Sequence, residues 1–384
     1  MSVGSLKHTS LSTCKPQSLN TSVLFFSLLF KIHLVGHLSS RLKIQILVKQ
    51  SSAQIKMEKG TVCVTGGAGY LASWMIKALL EDGYSVNATW RSDPGSMEDV
   101  SGILALPGAS KRLKIFDADL SKPETFEAPI KGCIGVFHVA HPIDVQGKES
   151  EHVLTERAMK GSLGILHACI DSKTVKKLIY TSSVSTVVFN EKRLINEILD
   201  EESWSDVDLI RSNDKQHGSS YFISKILTEK AILEFAEKKG FDVVTVLPTS
   251  LHGPFVGPDC PRSVRGSMAL IFGDVDKGRM FVKTPFVHVD DVARAHIHLF
   301  EHPNAKGRYI CSKITVTVDE LYKLLSEKYP EYKLPIIDFL KAAEKVYMPE
   351  VSSRKLLGTG FEFKYGIEEM FDDAIDSCRR HNIL

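Results

Sequence analysis

Tyr221 and Lys225 lie four residues apart in Tyr221-Phe222-Ile223-Ser224-Lys225, which puts a phenol and an ammonium on one face of a helix. Reduction of a ketone needs a proton on the carbonyl oxygen as hydride reaches the carbon. A phenol, with an ordinary pKa of about 10, serves as that acid near neutral pH if a cation lies beside it. Tyr-xxx-Lys alone is common and usually marks a solvated helix face. Upstream, however, Lys177–Thr181 runs into Thr181-Ser182-Ser183, with two hydroxyls at the carboxyl end of a strand, where Ser183 can donate to the same oxygen. Serines at such an end also cap turns; the order and spacing of the groups together make the pattern specific.

A nucleotide site is written ahead of them. Thr61–Thr65, a β-branched run, leads into Gly66-Gly67-Ala68-Gly69-Tyr70-Leu71-Ala72 and then the helically spaced apolar stretch Trp74–Leu80, which reads as strand, glycine turn and helix. Gly66 and Gly69 let the backbone close on a pyrophosphate, which the helix N-terminus then stabilises. Ala72 supplies the small residue that packing of helix on strand requires. The next strand, Ser85–Trp90, ends at Arg91 rather than at the Asp or Glu that holds a ribose 2′-hydroxyl, and a guanidinium pairs bidentately with a 2′-phosphate. NADPH is therefore expected over NADH. An ordinary exposed arginine in a turn is the alternative, and Asp93 two residues later keeps it open.

Further strands at Leu113–Phe116, Ile134–Val139, Lys177–Thr181 and Val243–Leu247 alternate with helices such as Glu151–Ser172 and Tyr221–Lys239. That alternation specifies an α/β fold, a Rossmann-type doubly wound parallel sheet with both faces covered. After Pro248, Gly253-Pro254, Gly257-Pro258 and Cys260-Pro261 predict loops with scattered short helices, covering the mouth of the sheet and shaping a substrate pocket. The expected organisation is a leader over 1–56, a dinucleotide-binding domain over 57–250, and a smaller, mainly substrate-binding subdomain over 251–384 with segments returning to the first sheet.

At 24% charged and 43% hydrophobic, the 384 residues have the composition of a soluble globular protein. Residues 1–56 carry seven Lys/Arg and no acid, leaving 41 basic against 46 acidic residues beyond them. A mildly acidic body without basic runs excludes nucleic acid as a partner. Seven cysteines without CxxC pairs form no disulfide framework, and no Cys/His cluster has zinc-ligand spacing; His298 and His302, four apart, lack a third ligand. A reducing, cytoplasmic setting without a metal follows. Val23–Phe30 is too short an apolar run for a membrane span. The Ser-rich leader reads three ways: a secretion signal without a clear cleavage site, a transit peptide poor in Arg, or an upstream extension with synthesis starting at Met57. The last fits best, because Met57 lies just before the first strand.

Val62-Cys63-Val64-Thr65-Gly66-Gly67, Gly132-Cys133-Ile134-Gly135-Val136-Phe137-His138, Thr181-Ser182-Ser183, Phe286 through Ile297, and Phe361-Glu362-Phe363-Lys364-Tyr365-Gly366 resemble the plant dihydroflavonol-reductase-like branch of the short-chain dehydrogenase/reductases. The resemblance covers residues 58–384. It implies an NADPH-dependent reductase of a small phenolic ketone of flavonoid or isoflavonoid type, with weak association with other enzymes of its pathway. It implies Ser183, Tyr221 and Lys225 as the catalytic residues, Lys225 also bonding the nicotinamide ribose, and Gly66, Gly69, Tyr70 and Leu71 in the phosphate turn. Arg91 matches the 2′-phosphate contact, Asp119 and Leu120 the adenine, Val139 and Ala140 the nicotinamide side, and Pro248, Leu251 and Ser263 the closure over the cofactor.

Several positions depart from the family pattern. His141 replaces a Thr, so its imidazole is expected to contact cofactor or substrate. Val188 stands where dihydroflavonol reductases use a polar residue to hold B-ring hydroxyls. Glu98 and Asp99 lie where relatives often carry Lys, and the segment between Ser183 and Tyr221 is longer. Phe189-Asn190 and the Glu368-Glu369-Met370-Phe371-Asp372-Asp373 tail lean toward the isoflavanone reductases of the family. Dihydroflavonol reduction is the alternative, and a non-catalytic NADPH-binding regulator a distant one. In His288-Val289-Asp290-Asp291, either aspartate is expected to cap the helix that follows.

Overall fold

The structure, a computed structural model, describes residues 58–91, 100–143, 149–190, 198–212, 218–274, 283–335 and 349–384. The leader and Asp93, Glu98 and Asp99 lie outside the described residues. In chain order the strands are β1 (Thr61–Thr65), β2 (Ser85–Trp90), β3 (Leu113–Asp117), β4 (Gly135–His138), β5 (Lys177–Thr181), β6 (Val243–Pro248), β7 (Ser250–His252), β8 (Lys283–His288), β9 (Gly307–Cys311) and β10 (Ile314–Thr317). The long helices are α1 (Tyr70–Asp82), α2 (Glu151–Ser172), α3 (Ser219–Lys239), α4 (Val289–Glu301), α5 (Val318–Lys328) and α6 (Ile367–Arg380).

Seven strands form one all-parallel sheet in the order β3-β2-β1-β4-β5-β6-β9. Residues that alternate along β1 serve opposite faces, as strand geometry requires. Val62 and Val64 pack with Met75, Ile76 and Leu79 of α1 and with Val292 and Leu299 of α4. Cys63 faces the other way, into a core with Ile165, Leu166 and Cys169 of α2 and Ile232 of α3. Both faces being covered, β1 and β5 read as continuous apolar runs rather than alternating ones. The chain leaves β1 toward β2 and β3, then returns to place β4 on the other side. The carboxyl ends of β1 and β4 therefore open a crevice where the strand order reverses.

Beyond Pro248 the structure differs from the loops and short helices expected there. β7, β8 and β10 form a second sheet, and α4, α5 and α6 run for 13, 11 and 14 residues, while β9 is a segment that returns to the main sheet, beside β6. Pro285 hides β8, since proline inside a run argues against a strand; here it is paired with Thr315 of β10. Arg308 hides β9 in the same way, because it is a charged residue in a strand that is nearly all buried. The cap of α4 also differs. His288 Nδ1 accepts from the Asp290 N–H at 3.0 Å, while Asp290 takes the Trp74 indole N–H and Asp291 takes Arg294 and the N–H groups of Lys364 and Tyr365. The aspartates tie α4 to its neighbours, and the histidine does the capping.

Candidate active site

The glycine turn leaves β1 at Gly66, whose φ of +72° lies in the left-handed region that favours glycine. A Cβ there would come within 3.0–3.3 Å of Ala140, so the turn and the end of β4 can approach only without a side chain. Gly67 N–H donates to the Thr89 carbonyl at 2.6 Å and Gly69 N–H to that of Gly66 at 2.9 Å, which fixes the loop on β2. α1 starts at Tyr70. Gly69 offers no side-chain cap and the first turn holds no acid, so the leading N–H groups of α1 suit an anion. Leu71 is buried in the core beneath, and the Tyr70 hydroxyl is buried without a hydrogen-bond partner among the described residues.

Thr65 ties this turn to the next strand. Its Oγ1 accepts from the N–H groups of Val139 and Ala140 at 3.1 and 3.0 Å, so its own proton goes to His138 Nδ1 at 2.9 Å. His138 Nε2–H is left to donate to Ser162 Oγ at 2.8 Å. Burial, with the charge of Lys225, pushes the His138 pKa down to about 3.

At the end of β2, Arg91 is exposed, and its charge reaches Asp119 beyond β3. Burial opposes ionisation of Asp119. The hydrogen bonds from Ser121 and the charges of Arg91 and Lys122 outweigh it and hold the carboxyl below its usual value. Leu120 next to it packs closely on Gly161 of α2.

Ser183 follows β5, and its hydroxyl accepts from the Ser185 N–H at 3.1 Å. It also shares a hydrogen bond with the Tyr221 hydroxyl. Tyr221, half-buried, stands in the first turn of α3, and Lys225 one turn later is buried, with Nζ donating to the Thr181 carbonyl at 2.8 Å. Nζ lies 5.0 Å from the Tyr180 ring centroid and 6.0 Å from that of Tyr221. Contrary to expectation, the phenol is not more acidic than an ordinary one here. Burial raises Tyr221 to about 12 against the opposing hydrogen bond from Ser183, and burial lowers Lys225 to about 7 against the opposing charge of Glu229. Lys225 is too deeply buried itself to stay fully charged at neutral pH.

Glu229 extends the same helix face by one more turn, and sequence reasoning passed over it. Fully buried, it accepts from Ser182 Oγ at 2.7 Å, from Thr245 Oγ1 at 2.6 Å and from Arg308 Nε at 3.1 Å. Arg308 in turn donates to Thr186 Oγ1 and to the carbonyls of Glu201 and Ser203, and stacks on Trp204 at 3.6 Å. The i+4 step from Lys225 was the available signal. Ser224 was also missed: its Oγ lies 2.6 Å from His141 Nε2.

The structure thus brings Gly66, Val139, Ala140, His141, Ser183, Tyr221 and Lys225 to adjoining carboxyl ends of β1, β4 and β5. Pro248 joins them at the end of β6, its carbonyl accepting from the Val184 N–H at 3.0 Å. Leu251 and Ser263 belong to the smaller sheet and its covering helix. Leu251 pairs with Val287, and exposed Ser263 gives its carbonyl to Ser267 Oγ. Neither enters the hydrogen bonds around Tyr221 described above.

Residues 62–311 match the NAD dependent epimerase/dehydratase family. Vestitone reductase from Medicago sativa is 51% identical over 326 residues, covering 85% of this chain and 99% of that protein. Dihydroflavonol 4-reductase from Gerbera hybrida is 42% identical over 324 residues, covering 84% and 87%. The crystal structure of vestitone reductase from alfalfa superposes with a TM-score of 0.76 at 49% identity, covering 85% of this chain and all of that one. The chain belongs to the NAD dependent epimerase/dehydratase family, in its dihydroflavonol-reductase-like branch. It is a pyridine-nucleotide-dependent oxidoreductase.

Proposed function

We propose that the protein is an NADPH-dependent reductase that converts the ketone of an isoflavanone to the alcohol, with Ser183, Tyr221 and Lys225 as its catalytic residues. The observation that carries this reading is the hydrogen bond between Ser183 and Tyr221 above buried Lys225, next to a glycine turn at the crevice of the sheet.

The residues present fit the dinucleotide. The uncapped start of α1 and the side-chain-free Gly66 take the diphosphate, Arg91 the 2′-phosphate, Asp119 and Leu120 the adenine, and Val139 and Ala140 the nicotinamide side. Pro248, Leu251 and Ser263 close over it. When bound, the reduced nicotinamide supplies hydride to the carbonyl carbon. Tyr221, a phenol whose pKa of about 12 keeps it protonated at neutral pH, gives its proton to the carbonyl oxygen. Ser183 donates to that oxygen as charge gathers on it, and Lys225 opposes the negative charge left on the phenol.

An aromatic row supports a flat aryl substrate. His141, Tyr221, Phe222 and Phe189 follow one another at centroid distances of 5.4, 5.9 and 4.9 Å. Val188 is apolar and buried, and by the family resemblance it stands where a dihydroflavonol reductase would bind B-ring hydroxyls, which favours the isoflavanone. The helices and small sheet beyond residue 250 are read as the substrate-covering part. Among the described residues no helix is long and apolar enough to cross a membrane. Cytoplasmic location and weak association with enzymes of the same pathway complete the proposal, on the basis of the cysteine usage and the resemblance. Incubation with NADPH and separate isoflavanones, dihydroflavonols and cinnamoyl thioesters, with products resolved by chiral chromatography, tests it. Fastest turnover of an isoflavanone is expected, and turnover of only the thioesters would defeat the substrate assignment.

A further inference from the structure

His141 stands on a fixed backbone. Val139 and Ala140 before it are held by Thr65 Oγ1, and Ala140 packs on the Gly66 turn. From there the ring crosses to α3. Its Nε2 meets the Oγ of fully buried Ser224 at 2.6 Å, and its plane meets the Tyr221 ring at 90° with centroids 5.4 Å apart. Nδ1 is buried and, among the described residues, has no hydrogen-bond partner. Burial first, then the charges of Lys225 and Arg157, hold the imidazole neutral. With one nitrogen committed to Ser224 and the other closed off, the ring is not placed to hand a proton to the ketone. What it touches is Tyr221.

We propose that His141 is a positioning residue, a strut from the glycine-turn platform to α3 that fixes the angle of the Tyr221 ring and keeps water from its edge. The kinetic part of this inference rests on the reductase reading above. The physical reason is that a phenol must lie within hydrogen-bond reach of one particular oxygen, and a displacement of an ångström costs up to about a hundredfold in rate. The groups facing Tyr221 are Tyr180 from β5 and Ser183 just beyond it, Lys225 and Phe222 from its own helix, and His141 from beyond β4. Among them His141 alone links the phenol to the end of β4. Its removal opens a space that water fills, and a hydrated phenol ionises more readily.

The test uses the full chain and His141→Ala, His141→Gln and Ser224→Ala. Melting temperature, NADPH binding by fluorescence, kcat and KM are measured, together with titration of Tyr221 by ultraviolet difference against Tyr221→Phe. Gln sets an amide nitrogen where Nε2 stands and preserves the bond to Ser224. His141→Ala is expected to bind NADPH as the wild type does, to lose roughly 10- to 100-fold in kcat, and to ionise Tyr221 at lower pH. His141→Gln is expected to regain part of the kcat while the ionisation stays low. If His141→Ala does not fold, Ser224→Ala severs the same link and is expected to lose kcat in the same sense. Wild-type kcat and wild-type ionisation in a folded His141→Ala overturn the proposal, as does a kcat loss that follows the melting temperature alone and that Gln does not relieve. The titration needs no substrate. A wild-type chain that reduces no ketone yet shows the ionisation shift on loss of His141 defeats the reductase reading and leaves the strut standing.

Discussion

Lys225 Nζ donates to the Thr181 carbonyl at 2.8 Å, which fastens α3 to the last residue of β5, two positions before Ser183. Burial lowers this ammonium to about 7. It is charged below that pH and neutral above it, and only the charged form opposes the negative charge left on Tyr221. The kcat for reduction is therefore expected to fall as pH rises through about 7, with a one-proton slope. Initial rates at saturating NADPH from pH 5.5 to 9 check this; a flat profile across that range removes Lys225 from the proton balance.

Glu229 supplies the opposing charge that holds Lys225 up. Glu229→Gln takes it away, so the pH at which reduction declines is expected to move lower. The same substitution leaves Arg308 buried opposite a neutral amide, and breaking a buried charge pair in this way costs about 3–5 kcal/mol. Chemical denaturation and the pH profile of one purified variant read both effects. An unmoved profile in a destabilised variant would assign Glu229 to folding only.

Arg91 is expected to discriminate between the two nicotinamide cofactors. Arg91→Ala removes a charge-assisted pair worth about 1.5–3 kcal/mol from NADPH and nothing comparable from NADH. KM for NADPH should rise far more than KM for NADH. Equal losses with both cofactors would take Arg91 out of the phosphate site.

His138, His252 and His296 are buried, and burial, their leading cause, lowers them to about 3, 3 and 4 from an ordinary 6.5. The unfolded chain binds their protons at higher pH than the folded one does. Their contribution to stability is thus complete above about 6.5 and is lost as pH falls toward 4 and 3. The melting temperature, followed by circular dichroism from pH 7.5 to 4, should drop steadily below pH 6.5. A constant value to pH 4 would mean that these rings gain water or counter-charges in the fold.

What was legible in the sequence was what repeats locally. Lys177–Thr181 and Glu151–Ser172 could be read to the residue because a buried parallel strand is a short apolar run and α2 carries a helical apolar pattern closed by Ser150. The glycine turn, Ser183, Tyr221 and Lys225 were visible for the same reason. Groups satisfied by distant partners were not. Glu229 meets Ser182, Thr245 and Arg308 across 47, 16 and 79 residues, so nothing in its own neighbourhood of the sequence marked it. The capping role of His288 was masked by two aspartates whose partners come from elsewhere in the chain. The acidity of Tyr221 went the other way from expectation because spacing reveals that a lysine is near but not that it is buried.

The central claim is that Tyr221 delivers the proton, and Tyr221→Phe isolates it. Phe keeps the ring against His141 and loses only the hydroxyl that Ser183 holds. The decisive quantity is kcat for ketone reduction at saturating NADPH, with cofactor affinity measured on the same preparation. The account predicts a fall of about 10²- to 10⁴-fold in kcat with NADPH affinity nearly unchanged. A variant that retains more than about a tenth of the wild-type kcat, less than the weakest effect expected of a lost general acid, would contradict it.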